Sequence, residues 1–204
     1  MRFTRTLALR PHIQTQPVIP NMKTLTPRPR KRYDPVAKLF HWLMAVALMV
    51  IFGLGLYMTG LAFSPEKLKL LSWHKWAGIV ILALALLRLI WRLTHKPPSM
   101  PAGMSRSQQL SAHGAHALLY VLMIAIPMSG WLMSSAKGVP TVLFGVWALP
   151  DLVARNRELG DLLQTVHWYL NVSLAVVVIV HVAAAVKHHF VNRDEILTRM
   201  LPFK

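Results

Sequence analysis

Four long apolar stretches alternate with short polar segments along the 204-residue chain. They cover residues 39–58, about 73–93, about 113–133 and about 162–186. Each is close to the roughly 20 residues that an α-helix needs to cross the hydrocarbon core of a bilayer. The second is the weakest, because only twelve uncharged residues separate Lys75 from Arg88, but long basic side chains near a helix end can reach the headgroups. The pattern predicts four membrane-spanning helices.

The segments between the apolar stretches are too short to hold a further domain. We therefore predict an all-α integral membrane protein in which residues 33–204 form one up-down four-helix transmembrane bundle. Residues 1–32 are basic and contain no acid, and we expect a disordered arm there. Met22 is an alternative translation start, and an organellar transit segment stays open. The apolar run at 139–149, in the long loop 137–166, is expected to lie along the membrane surface or to cap the bundle.

The composition agrees with a membrane protein surrounded by lipid. Hydrophobic residues make up 54% of the chain and charged residues only 15%, against about a quarter charged in soluble domains. The net charge of +16 could suggest nucleic-acid binding, but the basic residues flank the apolar spans and form no separate domain, so we expect no nucleic acid. If the chain starts inside, 17 of its 23 Lys and Arg are cytoplasmic. The positive-inside rule then predicts that both termini are cytoplasmic.

Two histidines of the fourth span, His167 and His181, are fourteen residues apart. In a helix they project from nearly the same face, about 21 Å apart along the axis. The predicted topology puts His41 at the level of His181, near the inner membrane face, and His74 at the level of His167, near the outer face. Ionisable residues inside a membrane are usually functional. Two ligand pairs, His41 with His181 and His74 with His167, are therefore predicted.

The chemistry of the pairs favours haem. Zinc needs three or four protein ligands, whereas haem needs only axial ligands, because its porphyrin supplies four nitrogens. The chain has no cysteine, which rules out covalent C-x-x-C-H attachment and leaves non-covalent haem b at two sites. Two axial imidazoles leave iron no open position, a coordination suited to single-electron transfer. His116 is a reserve ligand, or a group near a haem propionate or a quinone. Gly53 and Gly55 in the first span and Gly78 in the second could make room for a macrocycle, although helix packing is their commoner role.

Several segments together resemble the bacterial-type cytochrome b561 family, within the wider group that includes cytochrome b subunits of nickel hydrogenases and formate dehydrogenases. The similarity runs over about residues 31–202. The segments that carry it are KLFHW at 38–42, WHKWAG at 73–78, LRLIWR at 87–92, LYVLMIAIPMSG at 119–130, HVAAAVKHH at 181–189 and LTRMLP at 197–202. The resemblance implies a four-helix protein of the bacterial inner membrane with two b haems, and its ligand pattern maps onto His41, His74, His167 and His181.

The resemblance also implies electron exchange with quinone, and similar proteins are described as oxidising superoxide and reducing ubiquinone. An oxidoreductase of this kind is the main hypothesis. The alternative is an electron-relay and membrane-anchor cytochrome b subunit of a separate dehydrogenase or hydrogenase, in contact with a redox protein. The oligomeric state stays open, with a homodimer as one option.

Basic side chains near an exposed haem edge would attract the superoxide anion. The outer candidates are Lys67, Lys69 and Lys75, and the inner ones are Arg88, Arg92 and Lys187. For each of these residues taken singly, the simpler explanation is that its side chain reaches the headgroups and helps to set the topology. Arg88 lies deepest in the apolar stretch, and we expect it to pair with a haem propionate.

Overall fold

Four long helices coincide with the four apolar stretches. The computed structural model of the chain describes residues 32–101 and 103–202. Its long helices are α1 (Pro35–Thr59), α2 (Pro65–Thr94), α3 (Arg106–Ala136) and α4 (Arg157–Phe190), and all four are long and apolar enough to cross a membrane. The predicted all-α, multi-pass bundle is confirmed. The predicted basic arm, apart from Arg32, lies outside the described residues.

Each long helix begins at a polar residue that caps its first turn. The side chains of Asp34, Ser64, Ser105 and Asn156 each accept a hydrogen bond from a backbone N–H three residues later. Such caps satisfy N–H groups that the helix leaves free, which explains why the helices start before the apolar stretches do.

The cap of α1 also ties it to α2 at the end of the bundle that carries His41 and His181, which we call the inner end; the opposite end is called the outer end. The Asp34 carboxylate accepts from Nε1 of Trp91 at 3.2 Å as well as from the Ala37 N–H. Burial tends to raise the pKa of Asp34, but these hydrogen bonds outweigh it and hold the pKa below its usual value.

Packing between the helices is uneven. Neighbours in sequence pack together, α1 on α2, α2 on α3 and α3 most closely on α4, whereas α4 approaches α1 and α2 only sparsely. The buried core is a small cluster of Met44, Ile81, Ala85 and Met123. Along α2 it lies between His74 and Arg88, so apolar side chains fill the middle of the bundle. A cavity remains between the helices at the level of His74 and His167.

A short hairpin covers the outer end of the bundle. Strands β1 (Val142–Leu143) and β2 (Trp147–Ala148) pair antiparallel. Lys75 Nζ donates to the Val139 carbonyl at 2.9 Å, and Trp76 Nε1 donates to the Val142 carbonyl at 2.5 Å. These bonds hold the loop against α2, and its two expected placements, along the membrane surface or as a cap, stay predictions. The hairpin itself was not predicted, because its strands are only two residues long.

A short helix, α5 (Ile196–Met200), follows α4 at the inner end. The chain reverses through a turn in which Arg193 has a φ of 53°. His188 Nδ1 lies 2.5 Å from a carboxylate oxygen of Asp194 across this turn. The turn brings the C-terminal segment back beneath the helices.

Candidate functional site

The outer histidine pair faces a large apolar cavity. His74 on α2 and His167 on α4 have ring centroids 6.4 Å apart, with ring planes at 76°. Both line a cavity of about 750 Å³. This is within the range of about 300–1,000 Å³ that is usual for cofactor and small-molecule sites.

Hydrogen bonds determine which nitrogen of His167 is available. Its Nδ1 lies 3.1 Å from the carbonyl oxygen of Ile126 and 3.0 Å from Oγ of Ser129. The Ser129 hydroxyl donates its proton to the same carbonyl at 2.7 Å, so it cannot also donate to His167. His167 must therefore donate from Nδ1, which leaves the lone pair of Nε2 free to bind a metal.

Each outer imidazole also rests on a glycine of a neighbouring helix. A Cβ added to Gly55 would lie 3.2 Å from Cε1 of His74, and one added to Gly130 would lie 3.2 Å from Cε1 of His167. Both distances are tighter than ordinary carbon–carbon contacts of about 3.5–4.0 Å. By contrast, nothing lies within 4 Å of a Cβ on Gly53. Of the glycines considered from the sequence, Gly55 lies against a candidate ligand, whereas Gly78 only borders the cavity.

The inner level brings together three imidazoles rather than two. His41 on α1 and His181 on α4 have ring centroids 6.3 Å apart, with planes at 55°. His116 on α3 lies 5.5 Å from His181. The inner level thus contains both the predicted pair and the residue considered as a reserve ligand.

Arg88 contacts this inner group directly. Its Nη2 lies 3.0 Å from Nδ1 of His41, and its guanidinium lies 5.6 Å from the ring centre of Tyr120. Arginine can only donate, so Nδ1 of His41 is the acceptor and the ring proton is on Nε2. For His41 to bind a metal through Nε2, its proton must move to Nδ1 and Arg88 must turn to another acceptor.

The ring spacings test whether the pairs fit a haem. With metal–imidazole bonds of about 2.0–2.1 Å and about 1.1 Å from nitrogen to ring centre, two axial imidazoles have centroids about 6.2–6.4 Å apart. Both predicted pairs match this spacing, and the closer His116–His181 pair does not.

The buried Nδ1 of His74 has no hydrogen-bond partner. Among the described residues no group of three or more His, Cys, Asp or Glu could hold a metal ion. The ring spacing at both levels, and the cavity at the outer level, therefore fit a cofactor that needs only two protein ligands.

Three ammonium groups border the outer cavity, from Lys67, Lys75 and Lys137. Lys67 and Lys75 were candidates from the sequence, whereas Lys69 instead lies 5.0 Å above the ring of Trp73. Lys137, which follows α3, pairs with Asp161 at 3.1 Å. Sequence reasoning missed it because a lysine just after a span indicates only topology, and nothing local shows that it faces a cavity.

The remaining histidines have other surroundings. His95 stacks on Trp91 with ring centroids 3.7 Å apart, and His188 contacts Asp194. Lys187, an inner candidate, lies in the last turn of α4.

Comparisons with known proteins identify a family of membrane cytochromes to which the chain is similar. The profile of the family described as prokaryotic cytochrome b561 matches residues 32–203. The chain is similar to cytochrome b561 homolog 2 of Escherichia coli K12, with 34% identity over 178 residues, covering 84% of this chain and 92% of the relative. It is also similar to the probable superoxide oxidase CybB of Yersinia pestis, with 29% identity, covering 85% of this chain and 98% of the relative.

A third relative, cytochrome b561 homolog 1 of Escherichia coli K12, is 25% identical, and the match covers 84% of this chain and 97% of the relative. The match of the family profile spans all four membrane helices and therefore both histidine pairs. Membership implies haem b and electron transport in a membrane. The chain belongs to the prokaryotic cytochrome b561 family.

Proposed function

We propose that this protein is a dihaem cytochrome b that passes single electrons between a donor at its outer end and the quinone pool. His74 and His167 would hold the outer haem, and His41 and His181 the inner one. The proposal rests on one observation, the two imidazole pairs whose ring centroids are 6.4 and 6.3 Å apart. Haem would supply a one-electron couple, and ligation by two imidazoles would suit it to electron transfer rather than to oxygen binding.

The chain's own groups prepare the outer site before any cofactor binds. Ile126 and Ser129 orient the His167 ring through its Nδ1. Gly55 and Gly130 let the two imidazoles approach the helix backbones. The cavity lining is mostly apolar, and Val139 and Thr141, just before the hairpin strands, border it. These features favour a fixed ligand geometry, which keeps the rearrangement on electron transfer small.

At the inner site Arg88 has a separate role. Once the proton of His41 is on Nδ1, the guanidinium needs a new acceptor within reach. A haem propionate is a carboxylate, and arginine binds carboxylates through two parallel hydrogen bonds. Arg88 would then hold the inner cofactor by its charge and leave His41 free as an axial ligand.

Superoxide is the donor that the outer surface favours. Lys67 and Lys75 place positive charge beside the outer cavity, where Lys137 also lies but is paired with Asp161, and one relative carries the name probable superoxide oxidase. Two superoxide anions would each lose one electron and leave as O₂. One ubiquinone would take up the two electrons and two protons to give ubiquinol. The cation-lined mouth would raise the local concentration of the anion.

We also propose that the protein lies in the bacterial inner membrane with both termini in the cytoplasm. The excess of Lys and Arg on the predicted inner side supports this orientation. Because the chain has no native cysteine, single cysteines at Ser99 and at Val146 can be labelled selectively in intact cells. An impermeant thiol reagent should label Val146→Cys but not Ser99→Cys, and the reverse pattern would reject the orientation.

Spectroscopy of the purified protein tests the function. The reduced protein should show split b-type bands, and a pyridine haemochrome assay should find two haems per chain. Addition of superoxide, or of ubiquinol in the reverse direction, should reduce the haems without any other protein. A protein without haem would refute the proposal. Reduction only by a co-purified subunit would instead establish the relay-subunit alternative.

A further inference from the structure

The C-terminal segment crosses the inner end of the bundle instead of ending in solution. It comprises residues 194–200, which include α5 and which we call the strap. The backbone carbonyl of Met200 accepts from Nε1 of Trp42 on α1 at 2.9 Å. Nη1 of Arg199 donates to the carbonyl of Ser99, in the loop between α2 and α3, at 2.7 Å. The strap therefore joins three separate parts of the bundle, since it also continues from α4.

The first residues of the strap are also held in place. Asp194 contacts His188 through one carboxylate oxygen and accepts from the Ile196 N–H through the other, at 3.0 Å. Arg199 also lies 3.8 Å from Glu195. Its side chain is only 16% exposed, although it belongs to the last turn of a surface helix. Burial of a charged side chain is costly unless it makes contacts that offset the loss of water. Here the Ser99 carbonyl and Glu195 provide such contacts, whereas the buried Nε of Arg199 has no partner.

Trp42 links the strap to the inner histidine pair. Its ring packs edge-to-face against His41, with centroids 5.4 Å apart and planes at 89°. Its indole N–H is the group that binds the strap. One side of the same residue thus touches the candidate axial ligand and the other touches the C-terminal backbone. Met200 also borders a small cavity of about 40 Å³ next to Arg88 and Arg92, so the strap lies over the inner cationic groups.

We propose that the strap closes the inner end of the haem site, and that Trp42 transmits this closure to His41 as a positioning residue. This inference rests on the proposed inner haem. A closed inner end keeps water from the haem edge, and solvent exposure is one of the factors that set haem potentials. The strap therefore holds the inner haem at a higher potential than an open site would, because water stabilises the more highly charged ferric state.

Redox titration of the two haems in lipid nanodiscs tests the strap. Full-length protein should be compared with a chain that ends at Asp194, and with Trp42→Phe, which keeps an aromatic ring beside His41 but removes the donor to Met200. Both variants should lower the midpoint potential of the inner haem and leave the outer one unchanged. Trp147→Phe is the matched control, since Trp147 is 71% exposed on the outer hairpin, and it should shift neither potential.

Unchanged inner potentials in a Trp42→Phe protein that holds both haems would overturn the proposal. If the shortened chain fails to bind haem, the full-length Arg199→Met variant is used in place of the shortened chain. That variant loses the bond to Ser99, whereas its control Glu195→Gln loses only the exposed ion pair. Failure of the proposed function is recognised separately, because wild-type protein would then contain no second haem. Even then, docking of the strap through Trp42 predicts faster amide hydrogen exchange at residues 196–200 in Trp42→Phe than in Trp147→Phe. Equal exchange in the two variants would reject this docking.

Discussion

Gly130 of α3 lies against the imidazole of His167 on α4, so closely that a Cβ at this position would be 3.2 Å from Cε1 of the ring. The same relationship holds between Gly55 and His74 on the other side of the cavity. The two glycines therefore determine how far each imidazole can retreat toward a neighbouring helix. Both lie at places where a side chain would push the candidate ligand into the cofactor space.

Substitution of these glycines should weaken the outer haem selectively. Gly55→Ala and Gly130→Ala each add a methyl group to a tight contact, and such overpacking typically costs about 1–3 kcal/mol. That cost corresponds to roughly 5- to 150-fold weaker haem binding. Haem titration of the apoprotein measures it. Gly53→Ala is the matched control, because it lies two residues from Gly55 in open space. Equal affinities in all three variants would contradict the predicted role.

His74→Ala should remove the outer haem and spare the inner one. The two proposed sites share helix α4 but no ligand, since His74 faces His167 and His41 faces His181. The haem content should fall from two per chain to one, with loss of one component of the reduced spectrum. Retention of both haems, or of the outer one alone, would contradict the proposed pairing. His95→Ala is the control, because His95 stacks on Trp91 at the inner end and should leave both haems in place.

The helices and the level of each histidine could be predicted from the sequence, for a physical reason. Bilayer thickness fixes the length of a span, and an α-helix has a constant rise, so residue number converts directly into depth. Residue number does not give the depth of side chains that reach the site from loops outside the spans. Lys137 follows α3, and its place beside the cavity depends on its contacts with Asp161 and Gln164 of α4.

Tertiary contacts set the remaining details of the site. His116 was one of two histidines near the inner end of α3, and only the packing of α3 on α4 brings its ring to 5.5 Å from His181. The bond between Arg88 and His41 joins residues 47 positions apart. Helical periodicity relates residues within one helix and carries no information on such contacts between helices.

Arg88→Gln should lower the midpoint potential of the inner haem. Removal of a positive charge beside the site disfavours the electron-rich reduced state, by on the order of 1–2 kcal/mol at separations near 8–10 Å. For a one-electron couple this is a downward shift of about 40–90 mV. Potentiometric titration measures it. Arg92→Gln is the control, because Arg92 lies equally close to the Tyr120 ring, at 5.6 Å, and binds no histidine in the described residues. A shift as large in Arg92→Gln would show that general charge, rather than the contact with His41, is responsible.

The ammonium groups at the outer cavity should determine the rate at which superoxide reduces the protein. A combined Lys67→Gln, Lys75→Gln, Lys137→Gln variant loses three positive charges at the mouth, and a focused field of one sign typically raises association rates by at least about tenfold. Stopped-flow measurement of haem reduction by superoxide should therefore show a loss of that order at low ionic strength. The difference from wild type should shrink as salt is added, because salt screens the attraction.

Lys69→Gln removes a charge that lies over Trp73 and does not line the cavity, so it should change the rate much less. If Lys69→Gln slows the reaction as much as the single substitutions Lys67→Gln and Lys75→Gln do, the net charge of the outer surface attracts the anion and the cavity mouth has no special part in it.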